Sequence, residues 1–125
     1  MSLRSPLSRA RGLGSAKEGV EHFWLQRLSS VALIPLTLWF AFSVVRLAGA
    51  DYEAVRWWVA APSVAVTLVI FLAVAFYHAM LGVQVVIEDY VGPEGWKLTW
   101  LVLSKFILAV FAVASIFSVL KVALA

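Results

Sequence analysis

The stretch WWVAAPSVAVTLVIFLAVAFYHAMLGVQVVI, residues 57–87, holds 31 consecutive residues without a lysine, arginine, aspartate or glutamate. A helix needs about 20 apolar residues to cross a bilayer, so this stretch predicts a membrane span. The rest of the chain has the same character, because 63% of its 125 residues are hydrophobic and only 14% are charged. We therefore predict an all-α membrane protein and exclude a water-soluble domain.

Two more apolar stretches complete a prediction of three transmembrane helices, at about residues 28–48, 59–87 and 97–124. Pro35 lies inside the first stretch, where a membrane helix tolerates it with a kink. The segment 49–58 is predicted to be a short polar turn, and Gly92, Pro93 and Gly95 are predicted to break the chain before the third helix. Residues 28–125 thus form one membrane domain, with no room for a separate nucleotide-binding or hydrolytic domain.

Residues 1–27 form a polar, basic segment that carries five of the ten lysines and arginines. They contain no apolar core of a signal peptide. The excess of Lys and Arg on the side of residues 1–27 and Lys97 predicts a cytoplasmic N-terminus. The basic residues do not form a folded basic face, so we expect no nucleic-acid partner. The absence of cysteine excludes disulfides and thiolate metal sites.

His78 lies ten residues before the charged end of the second predicted span, which places it about 15 Å deep in the bilayer. An ionisable residue at that depth is a candidate for function. A neutral imidazole is able to bind haem iron without carrying charge into the membrane, which favours an axial ligand. The alternative is a neutral histidine that donates a hydrogen bond to a neighbouring helix.

The second histidine, His22, is predicted to precede the first span by six residues and to lie near the cytoplasmic surface. It is therefore not expected to share an iron with His78. A partner chain or a second copy must then supply the opposite ligand. This requirement predicts that the chain is one subunit of a larger assembly.

Asp89 follows His78 by eleven residues, which at 100° each places the two residues only about 20° apart around a helix. An aspartate and the adjacent Tyr90 at the mouth of an apolar crevice are suited to binding a carbonyl and moving protons, as quinone reduction requires. The alternative is a frayed helix end in a solvated loop. Arg27 is either an anchor at the bilayer edge or a partner for haem propionates or a quinone oxygen, and His22 could join it.

The segment YHAMLGVQVVIEDYV (77–91) resembles the haem and quinone segment of the hydrophobic membrane anchor subunit of succinate dehydrogenase. The segment GVEHFWLQRLSSVALIPL (19–36) is similar to the alphaproteobacterial form of that anchor. The resemblance implies that His78 ligates haem b and that Asp89 and Tyr90 lie at a ubiquinone site. It also implies that Arg27 lies near the haem propionates, whereas some relatives place their histidine at the position of Glu21 rather than His22.

The same resemblance implies three partners in a bacterial inner membrane: a cytochrome b subunit with three helices, an iron–sulfur subunit and a flavoprotein carrying FAD. Together they would form succinate:ubiquinone oxidoreductase, respiratory complex II. Two alternatives stay open. One is a fumarate reductase anchor subunit, and the other is a non-redox membrane scaffold or transporter subunit with His78 in a proton relay.

Overall fold

The computed structural model describes the backbone of residues 16–125 and the side chains from residue 19 onward. Within that part of the chain every regular element is helical, which confirms the all-α prediction. The elements are α1 (Ala16–Arg46), α2 (Tyr52–Ala60), α3 (Pro62–Tyr90) and α4 (Glu94–Leu124).

Three of these helices, α1, α3 and α4, are long and apolar enough to cross a membrane. The prediction of three spans is therefore confirmed, and the protein is a multi-pass membrane protein. Helix α1 begins at Ala16 rather than near residue 28. Hydropathy marks where a helix enters lipid, but the polar residues before that point contain no proline and continue the same helix.

The turn after α1 depends on Gly49, whose φ of 82° lies in the left-handed region. Residues with a Cβ are strained there, whereas glycine is not. Around it the Leu47 N–H donates to the Ser43 carbonyl at 3.0 Å, and the Ala50 N–H donates to the Leu47 carbonyl at 2.9 Å. The chain thus reverses within a few residues at the end of α1.

The segment predicted as a polar turn contains the short helix α2. Asp51 caps it, since the Asp51 carboxylate accepts a hydrogen bond from the Ala54 N–H at 2.9 Å. The prediction of a short polar turn was wrong, because this cap stabilises a helix of nine residues. The Glu53–Arg56 ion pair, 3.5 Å apart, is exposed and adds little. Exposed Tyr52 and Trp57 suit this helix to a membrane interface.

The ends of α3 and α4 also differ from the sequence prediction. Helix α3 begins at Pro62, where proline is favoured because the first turn needs no N–H donor, and it continues to Tyr90. Helix α4 begins at Glu94, so the break between the spans is only residues 91–93. Asp89 and Tyr90 therefore belong to the last turn of α3 and not to a loop.

Helix α3 is the centre of the described fold, because α1 and α4 each pack on it, whereas their backbones do not approach each other closely. Very few side chains are buried within residues 19–125. The buried apolar residues all belong to α3, and the buried polar residues both belong to α1: Ala65, Leu68, Leu81 and Ile87, with Ser29 and Ser43. Most of the apolar surface thus faces outward, towards lipid or partner chains.

Two aromatic pairs hold α1 against its neighbours near the Arg46 end. The Trp39 and Trp58 rings stack with centroids 5.8 Å apart, joining α1 to α2. The Phe40 and Phe71 rings stack at 5.0 Å, joining α1 to α3. Because lipid tails are as apolar as these rings, such van der Waals contacts are a main source of helix association in a membrane.

The turn at Gly49 yields a test with a matched control. We expect Gly49→Ala to destabilise the protein by about 1–2 kcal/mol, because alanine is strained at that φ. Gly95→Ala, in the first turn of α4, should be neutral or slightly stabilising, since alanine is the better helix former. A Cβ at either position meets no atom within 4 Å, so clashes do not confound the comparison. Thermal unfolding in detergent measures both, and equal effects would contradict the assignment.

Candidate functional site

His78 lies near the middle of α3, and its half-buried side chain faces α1. The imidazole Nδ1 lies 2.9 Å from the Ser29 hydroxyl oxygen. Within the described residues no hydrogen bond reaches the other ring nitrogen, Nε2. The structure therefore places this histidine at a helix–helix contact and leaves one ring nitrogen uncommitted.

Ser29 is a buried partner for this contact, with only 7% of its surface exposed. Its hydroxyl also donates to the Gln26 carbonyl one turn earlier, at 3.0 Å. An unpaired polar group in an apolar medium costs free energy, so the Ser29–His78 contact favours one alignment of α1 against α3. In this alignment the antiparallel helices place His22 opposite Val85.

Several cavities lie along the junction of α1 and α3, and two of them, on consecutive turns, are lined by a histidine. The first, which we call the His78 groove, has a volume of about 420 Å³. It is lined by Ser30, Leu33, Ile34, Thr37, Leu38 and His78. The second, the rim cavity, has a volume of about 380 Å³ and lies nearer the N-terminal end of α1. It is lined by Gly19, His22, Phe23, Gln26, Arg27, Gly82 and Val85.

The structure places His22 inside α1, and not in a segment before the first helix as predicted. The His22 side chain is partly buried and lines the rim cavity. Seven residues separate His22 from Ser29, so it lies about 10 Å along the helix from the level of His78. The two histidines are therefore too far apart to bind one iron, as the sequence analysis expected.

The rim cavity contains two buried polar atoms without a hydrogen-bond partner among the described residues, His22 Nε2 and Gln26 Oε1. Buried polar atoms are almost always paired in native proteins, so two adjacent unpaired ones need an explanation. Sequence reasoning did not single out Gln26. Its spacing of four from His22, which puts both on one helix face, is the signal that could have found it.

Arg27 also lines the rim cavity. Its guanidinium carbon lies 4.7 Å from the centre of the Phe23 ring, a cation–π contact that holds the charge at the cavity edge. The Arg27 side chain is exposed, and it donates no hydrogen bond to any of the described residues. The structure thus brings together His22 and Arg27, two of the predicted site residues, with Gln26 as an addition.

Gly82 forms part of the opposite wall of the rim cavity, one turn from His78. A Cβ built at Gly82 would meet no atom within 4 Å. Packing among the described residues therefore does not require glycine at this position. The missing side chain leaves open space beside His78 and His22 instead.

Asp89 and Tyr90 lie at the end of α3, and both are exposed. The helix is continuous from His78 to Tyr90, so Asp89 lies on the face of His78, about 16 Å further along the axis. Tyr90, 83% exposed, points about 100° away from Asp89. Only Asp89 therefore shares the helix face of His78, and neither Asp89 nor Tyr90 contacts the His78 side chain.

No group of three or more His, Asp or Glu side chains lies together in the described residues, so they form no enclosed site for a bare metal ion. At His78 a metal would meet one imidazole of this chain. A single neutral imidazole is suited to axial ligation of a haem and not to enclosing a bare ion.

Comparison with known proteins gives the context for this geometry. Residues 1–120 match the family described as succinate dehydrogenase/fumarate reductase transmembrane subunit. The chain therefore belongs to this family. No solved structure matches it.

Curated relatives include succinate dehydrogenase hydrophobic membrane anchor subunits from several bacteria. The protein from Rickettsia bellii is 33% identical over 116 residues, covering 93% of each chain. The one from Paracoccus denitrificans is 36% identical over 86 residues, covering 69% of this chain and 67% of its own. The resemblance stated from the sequence is thus confirmed.

The alignment of α1 and α3 can be tested by cross-linking, because the chain has no cysteine of its own. We expect cysteines at His22 and Val85 to be joined by a short bifunctional thiol reagent in the membrane, since both residues line the rim cavity. Cysteines at His22 and Val66 should not be joined, as position 66 is about 28 Å from position 85 along α3. Mass spectrometry of digested protein identifies the link. Failure of the first pair, with each cysteine still reacting with a monofunctional reagent, would contradict this alignment.

Proposed function

We propose that this protein is the hydrophobic membrane anchor subunit of succinate:ubiquinone oxidoreductase. In this proposal His78 supplies one axial ligand of haem b, and Asp89 and Tyr90 form part of the ubiquinone-reducing site. The observation that carries the proposal is one imidazole in the middle of a membrane span, one turn from a cavity in which two buried polar atoms have no partner among the described residues. Family membership supports the same conclusion.

The residues around His78 fit a haem by three independent features. The ring nitrogen Nε2 has no hydrogen bond within the described residues, Gly82 leaves open space one turn away, and the groove wall is largely apolar. A flat, apolar macrocycle needs such a wall and such space. The second axial imidazole would come from a partner chain, because His22 lies too far away.

The rim cavity fits the polar edge of the same group. Haem propionates are anions that need cationic partners or N–H donors. Arg27 offers a planar guanidinium with several donors, and the unpaired His22 Nε2 can donate when it carries the ring proton. We therefore assign Arg27 and His22 to the propionates, and Gln26 could turn its amide N–H₂ towards them.

Haem b, when bound, would supply a one-electron carrier between the iron–sulfur clusters of the partner subunits and the quinone. This chain's own contribution is to hold that carrier and to handle protons at the rim. Reduction of a quinone to a quinol takes up two electrons and two protons. A phenol and a carboxylate at the end of α3 have the chemistry to provide those protons.

Tyr90 is suited to donate its O–H to a quinone carbonyl, which favours the build-up of negative charge on that oxygen during reduction. Asp89 faces the side of His78 and is exposed, so its carboxyl is able to exchange protons with water. The two side chains point about 100° apart, which allows one to contact the quinone while the other contacts solvent.

The other subunits in this proposal are a cytochrome b anchor, an iron–sulfur protein and an FAD-containing flavoprotein. The exposed apolar surface of the described helices is consistent with a partner anchor within the membrane. The distribution of Lys and Arg supports an N-terminus in the cytoplasm. The bacterial origin of the relatives supports a location in a bacterial inner membrane. The names of the relatives favour succinate oxidation over a fumarate reductase role, although the family includes both.

Haem ligation is tested by His78→Ala in the purified complex. We expect loss of the b-type haem spectrum, at least tenfold in haem per complex, because one axial ligand is removed. His22→Ala is the comparison: it removes a proposed propionate contact and not a ligand, so the haem that this variant retains should keep a b-type spectrum. A haem spectrum that is unchanged in His78→Ala would disprove the ligand assignment.

The quinone site is tested by Tyr90→Phe, which removes only the hydroxyl. We expect quinone reduction to fall by about 100-fold through loss of a general acid. Succinate oxidation with a soluble artificial acceptor should stay unchanged. Tyr52→Phe is the control, since Tyr52 is similarly exposed, 73% against 83%, but precedes α3 and lies at its opposite end. Equal losses in both assays would argue against a local role for Tyr90.

A further inference from the structure

We infer that Ser29 is a positioning residue that holds His78 in the tautomer able to bind iron, with the proton on Nδ1 and the lone pair on Nε2. This inference rests on the proposed function, since it assigns the haem ligand a supporting partner within the same chain. It concerns Ser29 alone, which neither the sequence patterns nor the family match assigns a role.

The count of protons at the contact decides the direction of the hydrogen bond. A serine hydroxyl has one proton and two lone pairs. That proton is directed to the Gln26 carbonyl, 3.0 Å away. The Ser29 oxygen is therefore left as an acceptor towards His78 Nδ1, 2.9 Å away. A short contact between these two atoms then requires an N–H on Nδ1.

Neutral imidazole carries a single N–H, so a proton on Nδ1 leaves Nε2 deprotonated. Nε2 is the nitrogen that no hydrogen bond reaches within the described residues, and His78 lines the open groove. The nitrogen able to bind a metal is thus the one left uncommitted. In the other tautomer Nε2 would carry the proton and could not act as a ligand.

Burial makes Ser29 effective in this role. The residue is 7% exposed and lies within a membrane span, so water does not compete for Nδ1 as it would at the surface. Its second hydrogen bond, to the backbone of its own helix, restrains the side chain. The Ser29 hydroxyl, restrained by the Gln26 carbonyl, in turn fixes the orientation of the His78 ring.

The same hydrogen bond should tune the haem. A ligating histidine that donates its second N–H becomes a more basic ligand, and a more basic ligand favours ferric over ferrous iron. Ser29 is therefore expected to lower the reduction potential of the haem relative to a variant in which Nδ1 has no acceptor.

The test measures haem content, the low-spin ferric EPR spectrum and the haem reduction potential of the whole complex carrying Ser29→Ala. We expect a higher potential, an altered EPR signal and a roughly tenfold weaker retention of haem. Ser29→Thr keeps the hydroxyl and should restore all three to wild-type values. Ser43→Ala is the matched control, because Ser43 is also 7% exposed on α1 but lies about 21 Å away.

Three results would overturn the inference. They are a Ser29→Ala haem with unchanged EPR spectrum and potential, a Ser29→Thr variant as defective as Ser29→Ala, and equal changes in Ser43→Ala. If Ser29→Ala loses its haem completely, retention of normal haem by Ser29→Thr supports the inference. His78→Ala separates the two proposals. A normal haem spectrum in His78→Ala refutes the ligand assignment. Loss of the haem spectrum in His78→Ala, together with a normal haem in Ser29→Ala, refutes only the role of Ser29.

Discussion

The hydrogen bond between Ser29 and His78 is the constraint on which the functional part of this fold depends. In a membrane the hydrophobic effect does not drive one helix against another, so directional contacts between polar groups contribute to alignment. This contact joins α1 to α3 at mid-span, while the Phe40–Phe71 stack joins the same helices nearer the other end. With two fixed points the helices have one alignment. His22, Gln26 and Arg27 then lie opposite Gly82 and Val85.

The scarcity of buried side chains follows from the role of a subunit. A chain that folds alone must bury a core, but here four apolar residues are buried in the described part, all on α3. Each long helix satisfies its own backbone hydrogen bonds, so it is stable in lipid without that core. Stability and function are thereby separated: lipid supports the helices, and the few polar residues align them.

Much of this arrangement could be predicted from the sequence, because long segments without charged residues are a strong signal of membrane spans. The three spans and the shared face of His78 and Asp89 followed from hydropathy and the 100° rotation per residue. The start of α1 could not be predicted, since hydropathy does not detect the part of a helix that continues into polar residues. The helix α2 was missed because its cap at Asp51 is a single side chain. The Ser29–His78 contact joins positions 49 residues apart, and no periodicity links them.

The separation of α1 from α4 by α3 has a consequence for how the sequence can change during evolution. The backbone of α4 comes close to α2 and α3 but not to α1, so α3 separates the outer face of α4 from the cavities between α1 and α3. The effects on the free energy of unfolding of substitutions on that face and of substitutions near His78 should therefore be additive, as is usual for distant sites. Selection is then free to retain any apolar residue of suitable size along α4. Such changes along α4 would leave the Ser29–His78 contact between α1 and α3 unaltered.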